Sequence, residues 1–312
     1  MNGCDLRPVG RFAPTPSGRM HLGNVFSALM AWLSVRAKGG TFLLRMEDLD
    51  TDRTKTEYAE TIREDLRWLG LDWDAESPPQ SERTAAYESY FDALREMDLL
   101  YPCYCTRSQL HSVNAPHPED GTYLYPGTCR DLTPQQRLSF TRPPSWRIRV
   151  PDTLWKFRDA VQGEYAEDLT RRCGDFVVRR ADGVFVYQLA VTADDGESGV
   201  TEVVRGADLI SSAPRQMYLQ SLLGFPHPRY AHVPMLLAPD GRRLSKRDGD
   251  LDMGALRGKL TAPELIGALA FLAGLTDRYC PVSARELAQS FSWDRVHAED
   301  IPIDGALLRF LK

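Results

Sequence analysis

The chain has 312 residues, of which 43% are hydrophobic and 26% are charged, proportions typical of a globular protein with a substantial buried core. No run of residues approaches the ~20 apolar positions of a membrane span, and the N-terminal stretch has no apolar signal core, so the sequence predicts a cytoplasmic protein. A net charge of −5 argues against a protein that binds nucleic acid over its whole surface, so any RNA contact must come from local patches.

The first hundred residues alternate between strand and helix patterns. A short strand at residues 9–13 runs into a Pro/Gly-rich turn, and apolar side chains then recur at three- and four-residue steps over residues 22–33. A strand at residues 41–46 is followed by two amphipathic helices, around residues 58–69 and 87–94. This order of elements predicts a parallel sheet covered by helices.

The pattern changes after residue 100. An irregular stretch that contains several cysteines indicates an insertion, and the Asp182-Gly183 turn predicts a hairpin between residues 175–180 and 184–189. A helix is predicted from Ala213 to Leu223, and a loop rich in Gly, Arg and Lys at residues 240–250 precedes a helical tail.

His21, Gly23 and Asn24 lie between the first predicted strand and the first predicted helix. Ligands bind at this position in doubly wound sheets, and a helix N-terminus offers free N–H groups and a positive dipole end to phosphate. The alternative interpretation is a Gly/Pro turn closed by a capping histidine.

A second motif, Gly241-Arg-Arg-Leu-Ser-Lys-Arg247, follows some two hundred residues later. A loop with a glycine at its edge can bring the Lys246 ammonium onto the phosphates of ATP. The alternative is a solvated basic loop without a specific ligand.

Together the two motifs resemble those of the class I aminoacyl-tRNA synthetases: His21-Leu-Gly-Asn24 is similar to their HIGH motif, and Arg243-Leu-Ser-Lys-Arg247 to their KMSKS motif. Segments that begin at Arg11, Arg45, Asp65 and Thr201 look like the glutamyl branch. The resemblance spans about residues 9 to 275. It implies a Rossmann-like α/β catalytic domain that binds ATP with Mg²⁺, with His21 and Lys246 as catalytic residues. The ATP-binding residues implied are His21, Gly23, Asn24, Arg243, Leu244, Ser245 and Lys246.

A glutamate site follows from the same resemblance. Its implied residues are Arg11, Phe12, Ala13, Pro14, Thr15, Glu47, Tyr187 and Arg205. A planar guanidinium suits a carboxylate because it can donate two parallel hydrogen bonds, and Glu47 suits the substrate ammonium. Arg205 favours glutamate over glutamine because a buried cation that faces a neutral amide would be left uncompensated. The alternative is that Arg205 and Glu47 form an ordinary surface ion pair.

Cys103, Cys105 and Cys129 lie close together on the predicted insertion, as expected for a structural zinc site with Cys ligands. The resemblance implies Tyr125 as the fourth ligand, whereas His111 and His117 are the chemically conventional alternatives. Free thiols on a loop remain a further possibility. The remaining cysteines are interpreted as packing residues: Cys4, Cys173 and Cys280.

Because only a short segment follows the lysine loop in this sequence, we expect no counterpart of the large anticodon-binding portion of the glutamyl-tRNA synthetases. Together with the cysteine motif and Tyr187-Gln-Leu-Ala, this resembles a shortened branch, the glutamyl-Q tRNA(Asp) synthetases. The resemblance implies transfer of L-glutamate to the queuosine base in the anticodon loop of tRNA(Asp), with activation independent of tRNA, by a monomer. There are two alternatives. One is a truncated glutamyl-tRNA synthetase that charges a tRNA 3′ end, and the other is a non-catalytic paralogue that binds glutamate or RNA.

The resulting domain prediction has four parts. They are the first half of the catalytic domain at 1–100, the zinc-bearing insertion at 101–185, the second half with the lysine loop at 186–250, and the helical tail at 251–312.

Overall fold

The computed structural model describes residues 7–106, 108–110, 124–238, 240–242 and 251–303. The strands in chain order are β1 (Val9–Phe12), β2 (Thr41–Leu44), β3 (Ala75–Glu76), β4 (Leu100–Cys103), β5 (Ser145–Ile148), β6 (Leu154–Asp159), β7 (Gly163–Asp168), β8 (Phe176–Arg179), β9 (Glu202–Gly206), β10 (Arg229–Val233), β11 (Leu236–Leu237) and β12 (Ile301–Pro302). The α-helices are α1 (Leu22–Arg36), α2 (Thr56–Leu69), α3 (Thr84–Glu96), α4 (Pro134–Arg137), α5 (Leu169–Arg172), α6 (Tyr187–Glu197), α7 (Ser212–Leu223), α8 (Met253–Arg257), α9 (Ala262–Ala273) and α10 (Ala284–Ala288).

A seven-stranded sheet forms the centre of the fold, in the order β3-β2-β1-β9-β10-β6-β7. Its strands pair in parallel except for the edge pair β6–β7, which is antiparallel. The predicted parallel sheet is thereby confirmed. Because strands β1, β2, β9 and β10 are neighbours and point the same way, the residues at their carboxyl ends meet along one edge of the sheet.

Helix α1 shows why the first predicted helix forms and where it packs. Its residues from Leu22 to Leu33 have few β-branched side chains, and Arg36 in the last turn complements the helix dipole. Leu22, Val25, Leu29 and Leu33 are each fully buried and pack in the main core with residues of β1, β2 and α9. Full burial of a leucine side chain contributes roughly 2 kcal/mol, so this helix anchors one face of the sheet.

The predicted hairpin forms at the Asp182-Gly183 turn, where the Arg180 N–H donates to the Val184 carbonyl at 2.8 Å and the Val186 N–H to the Val178 carbonyl at 3.1 Å. Its second arm is shorter than the predicted residues 184–189, because helix α6 begins at Tyr187. The run Val-Phe-Val-Tyr has strand-like side chains, and the helix that follows is buried from Leu189 to Asp195. A helix that is buried on most of its surface shows no amphipathic period in its sequence. Packing against α3 and α7, and not the strand propensity of these side chains, therefore determines the helical conformation.

The range predicted as an insertion divides between two sheets. Strands β4, β5 and β8 form a separate antiparallel sheet, whereas β6 and β7 extend the central one. After residue 251 the chain contains helices α8, α9 and α10, and strand β12 pairs with β11. In the ranges that the structure describes, no helix is long and apolar enough to cross a membrane.

Candidate active site

His21 is the N-cap of helix α1 and closes a capping box with Asn24. Its Nδ1 accepts a hydrogen bond from the Gly23 backbone N–H at 3.1 Å, and the Asn24 side-chain oxygen accepts one from the His21 N–H at 3.2 Å. A Cβ at position 23 would lie 3.1 Å from His21 Cε1, so a larger residue there would press on the imidazole ring. The capping interpretation of this histidine is therefore correct, and it does not exclude a role toward a ligand, since the same residue lines a cavity.

A cavity of about 670 Å³ lies beside this helix N-terminus. Residues that follow β1 and β2, residues of β9 and the first residue of α6 contribute to its walls. Every predicted glutamate-site residue and each described ATP-site residue lines it: Arg11, Phe12, Ala13, Pro14, Thr15, His21, Gly23, Asn24, Glu47, Tyr187 and Arg205. Arg243, Leu244, Ser245 and Lys246 lie outside the described residues.

Two of the arginines in this region are neutralised by buried carboxylates. Arg11 Nε donates to both oxygens of Asp195 at 3.1 and 3.2 Å, and Arg45 Nη1 donates to Asp195 Oδ1 at 2.7 Å. Arg45 also donates to Glu47 at 3.2 Å. Burial alone would raise the pKa of Asp195, but Arg11 and Arg45 more than offset this effect, so the pKa lies below its usual value.

Glu47 shows the opposite balance. Its side chain is 10% exposed, and burial raises the pKa of its carboxyl more than the nearby Arg45 and Arg11 lower it. A cationic ligand group beside Glu47 would favour the ionised carboxylate again. Glu47 is therefore suited to bind an ammonium group.

Arg205 is buried, with 6% of its surface exposed, and its hydrogen-bond partners are all uncharged groups. Nε donates to His232 Nε2 at 3.0 Å, and Nη1 donates to Gln216 at 2.8 Å and to the Tyr187 hydroxyl at 3.4 Å. Nη2 is buried and has no hydrogen-bond partner among the described residues. A buried cation with unused N–H donors at a cavity wall is suited to bind a carboxylate. The surface ion-pair alternative for Arg205 and Glu47 is wrong, because Arg205 is buried with uncharged partners and the partly buried Glu47 pairs with the buried Arg45.

Sequence reasoning missed the groups that hold these side chains in place. Asp195 lies in helix α6, which was predicted in part as a strand, and His232 lies in the apolar run of β10. The sequence did offer one indication of these residues, because a carboxylate or an imidazole within a buried apolar segment needs a hydrogen-bond partner.

The three clustered cysteines do come together, with sulfur atoms within 4.8 Å of one another. Cys105 and Cys129 Sγ are 3.7 Å apart, and Cys103 Sγ lies 3.5 Å from the Tyr125 hydroxyl oxygen. Two sulfurs bound at ~2.3 Å to a tetrahedral zinc lie about 3.8 Å apart, and a sulfur and an oxygen about 3.5 Å apart. The donor set and its spacing therefore fit zinc. His111 and His117 lie outside the described residues.

Arg147 stabilises negative charge in this cluster. Its Nε donates to Cys103 Sγ at 3.3 Å, and its guanidinium lies 3.7 Å from the centre of the Tyr125 ring. Burial raises the pKa of the Cys103 thiol, but the Arg147 charge more than compensates and the pKa is lowered. Burial and the neighbouring Cys103 raise the pKa of Cys105 to about 12, and a divalent cation would favour its thiolate.

Comparison with known proteins is consistent with this site. The family described as "tRNA synthetases class I (E and Q), catalytic domain" matches residues 9–301. A glutamyl-Q tRNA(Asp) synthetase from Nitratidesulfovibrio vulgaris is 47% identical over 291 residues, which cover 89% of this chain and 90% of that protein. One of the same name from Symbiobacterium thermophilum is 46% identical and covers 97% of this chain and 98% of its own length.

Among solved structures, a glutamate tRNA ligase from Elizabethkingia meningosepticum in complex with its amino acid superposes with a TM-score of 0.82 at 27% identity. The match covers 98% of this chain and 68% of that protein. The chain therefore belongs to the class I tRNA synthetases of the glutamyl and glutaminyl branch and, within them, to the glutamyl-Q tRNA(Asp) synthetase family.

Proposed function

We propose that this protein activates L-glutamate with ATP and transfers the glutamyl group to the queuosine base in the anticodon loop of tRNA(Asp). The observation that carries the proposal is Arg205, a buried guanidinium that lines the cavity with Nη2 unpaired and with uncharged partners. The family names of the relatives supply the acceptor. We propose further that the enzyme is a cytoplasmic monomer.

Glutamate binds with its side-chain carboxylate on Arg205 and its ammonium on Glu47. Phe12, Ala13, Pro14, Thr15 and Tyr187 provide the remaining walls of this part of the cavity. Glutamine would place a neutral amide against Arg205 and leave its charge uncompensated, so glutamate is selected. Arg11 is paired with Asp195 through Nε and lines the same part of the cavity.

In the first step an oxygen of the glutamate α-carboxylate attacks the α-phosphorus of ATP in line. A carboxyl-oxygen–phosphorus bond forms, and the bond to pyrophosphate breaks. His21, the positive dipole end of α1 at Gly23 and Asn24, and the loop residues Arg243 to Lys246 stabilise the charge that develops on the phosphates. Magnesium bound to ATP would neutralise part of the phosphate charge.

In the second step a hydroxyl oxygen of queuosine attacks the carbonyl carbon of the adenylate. An ester bond forms, AMP leaves with the bonding electron pair, and the hydroxyl proton passes to solvent or to the departing phosphate. No covalent intermediate with the protein is required. Binding of tRNA can follow adenylate formation, so activation does not require it.

The cysteine cluster has a structural role in this proposal. Cys103, Cys105, Cys129 and Tyr125 would hold one Zn²⁺, and four protein ligands leave no open position for catalysis. The metal would stabilise the segment between β4 and β5, whose small core contains Tyr101 together with Cys103, Tyr125 and Cys129.

Glutamate-dependent exchange of pyrophosphate into ATP, measured without RNA, tests the activation step. The wild-type protein should exchange, and Lys246→Ala should slow exchange by ~10²-fold or more with a smaller effect on the KM for glutamate. An unchanged rate in that variant would remove Lys246 from the mechanism. Absence of exchange in the wild type would contradict activation without tRNA and would favour either a truncated glutamyl-tRNA synthetase or a non-catalytic paralogue.

A further inference from the structure

Arg205 is the end of a buried chain of three side chains that starts at Asp159. His232 and Arg205 are register partners on the adjacent parallel strands β10 and β9, so their side chains lie on the same face. His232 Nδ1 lies 2.6 Å from Asp159 Oδ2, and His232 Nε2 accepts from Arg205 Nε at 3.0 Å. All three residues are buried, with exposures of 2%, 0% and 6% in the order Asp159, His232, Arg205.

The protonation state of His232 follows from its contacts. An arginine Nε always donates, so His232 Nε2 must carry the lone pair, and the single ring proton lies on Nδ1, where it is donated to Asp159. Burial lowers the pKa of His232, and although Asp159 opposes this, the pKa falls to about 4. The imidazole is therefore neutral near pH 7, in one defined tautomer.

Asp159 is held in place by the backbone as well. Its Oδ1 accepts hydrogen bonds from the N–H groups of Val161 and Gln162, both at 2.9 Å, and of His232 at 3.0 Å. Its negative charge is thus used by these donors and lies one imidazole ring away from Arg205. The carboxylate orients the histidine without pairing with the arginine.

This arrangement differs from that of the other arginines in the site. Arg11 and Arg45 donate directly to Asp195, so each is paired with an anion of the protein. A carboxylate in the place of His232 would neutralise Arg205 in the same way and compete with an anionic ligand. The neutral imidazole of His232 instead holds Nε, and Gln216 holds Nη1. The positive charge of Arg205 is not neutralised, and Nη2 can donate to an anionic ligand.

We propose that His232, oriented by Asp159, is a positioning residue that determines specificity for glutamate. It fixes the orientation of the Arg205 guanidinium without neutralising it, so that the side-chain carboxylate of the substrate becomes its counter-ion. This inference rests on the proposed function, because it assigns the carboxylate of glutamate to Arg205.

Three variants separate orientation from charge. His232→Phe keeps an aromatic ring but removes the acceptor, and His232→Gln offers an amide oxygen to Arg205 as a conservative replacement. Asp159→Asn keeps the shape of the carboxylate but no longer requires the proton on Nδ1, so the imidazole can turn its N–H toward Arg205. Each is compared with the wild type in pyrophosphate exchange with glutamate, glutamine and ATP as the varied substrates.

His232→Phe and Asp159→Asn should raise the KM for glutamate about ten- to a hundredfold, the range expected for a lost hydrogen bond to a charged group. Both should lower the preference for glutamate over glutamine, while the KM for ATP stays within about twofold. His232→Gln should restore most of the glutamate affinity. A general loss of packing would instead raise both KM values together or lower kcat alone, and it would not be rescued by glutamine at position 232.

Direct binding of glutamate to the same proteins, measured by calorimetry, needs no catalysis and distinguishes this inference from the proposed function. The Kd for glutamate should rise in parallel with the KM. A wild-type Kd and a wild-type preference for glutamate in folded His232→Phe or Asp159→Asn would overturn the inference. A wild-type protein that binds glutamate but supports no exchange would overturn the proposed activation step, and the role of His232 would still be judged from binding.

Discussion

His21 uses its two ring nitrogens for different purposes. Nδ1 accepts from the Gly23 N–H and closes the cap of α1, which places the ring proton on Nε2. The proposed function assigns that N–H to the ATP phosphates. Because the proposal gives one residue a role in both helix stability and chemistry, an alanine substitution cannot tell the two roles apart.

An asparagine at position 21 does separate them. Asparagine is among the best N-cap residues, so His21→Asn should keep the free energy of unfolding within about 0.5 kcal/mol of wild type, whereas His21→Ala should lose about 1 kcal/mol. Both variants lack the imidazole and should slow pyrophosphate exchange by ~10-fold or more. Urea denaturation and exchange kinetics on the two proteins make the comparison. Full exchange activity in His21→Asn would leave His21 with a capping role alone.

His232 gives stability a defined dependence on pH. Its pKa is about 4 in the folded protein and about 6.5 in an unfolded chain. Between these values the unfolded state binds a proton that the folded state excludes, so the free energy of unfolding falls as the pH falls from 6.5 toward 4. Protonation of this residue in the unfolded state lowers the free energy of unfolding by about 3 kcal/mol across that window and has no effect above it.

Chemical denaturation of wild type and His232→Gln at several pH values tests this expectation. The variant has no imidazole to protonate, so its stability should fall less steeply between pH 6.5 and 4.5. Acids that do not contact His232, such as Asp195 with its lowered pKa and Glu47 with its raised pKa, contribute alike to the pH dependence of both proteins. Identical slopes in the two proteins would contradict the neutral, buried state of His232.

At the scale of elements, the segment that joins β4 to β5 depends on its proposed metal. The described part of its core is small, so a cation held by the three thiols would supply much of the stability of this segment. Protein purified without chelator should contain about one zinc per chain, and Cys105→Ser should lose it and unfold this segment. Cys280→Ser, which lies outside the cluster, is the matched control and should retain the metal.

The fourth ligand is decided by the same metal analysis on further variants. Tyr125→Phe should lose most of the zinc if the phenol oxygen is a ligand, as its 3.5 Å distance to Cys103 Sγ suggests. Retention of zinc in Tyr125→Phe together with its loss in His111→Ala or His117→Ala would transfer the fourth position to that histidine.

Local patterns in the sequence predicted the elements that bury only one face, and those whose ends carry a typical capping or turn residue. The second helix, for example, ends at Gly70, whose φ of +75° is a conformation that glycine adopts readily. Helix α6 was not predictable in this way, because its buried surface includes Asp194 and Asp195 as well as apolar residues. Those carboxylates are accommodated by arginines from distant segments, among them Arg45 and Arg83, which no local pattern reveals.

The same limit applies to the site. Motifs indicated Arg11, Glu47, Tyr187 and Arg205, since each carries chemistry that a glutamate site needs. They did not indicate His232, because its role depends on the register of β10 beside β9 and on the approach of Asp159 from β6. Long-range strand pairing sets both contacts, and a single sequence does not encode that pairing in any local feature.

At the scale of the whole molecule, the strand order assembles the cavity. Neighbouring strands β2, β1, β9 and β10 bring together residues that are far apart in sequence, such as Arg11 and Met235. The overall charge is −5, so contact with RNA has to depend on local basic residues such as Arg242 and Arg247. Unstacked bases in an anticodon loop can be inserted into a cavity without an extensive electrostatic surface, which agrees with the proposed acceptor.

The acceptor is the central claim, and the position of labelled glutamate on RNA tests it most directly. The enzyme is supplied with ATP, labelled glutamate and three RNAs: queuosine-bearing tRNA(Asp) that lacks its 3′-terminal adenosine, the isolated anticodon stem-loop with queuosine, and the same stem-loop with guanine. The first two should be labelled, and the third should not. Label on the 3′ end of an intact tRNA(Glu), with none on the queuosine stem-loop, would identify a truncated glutamyl-tRNA synthetase and contradict the account.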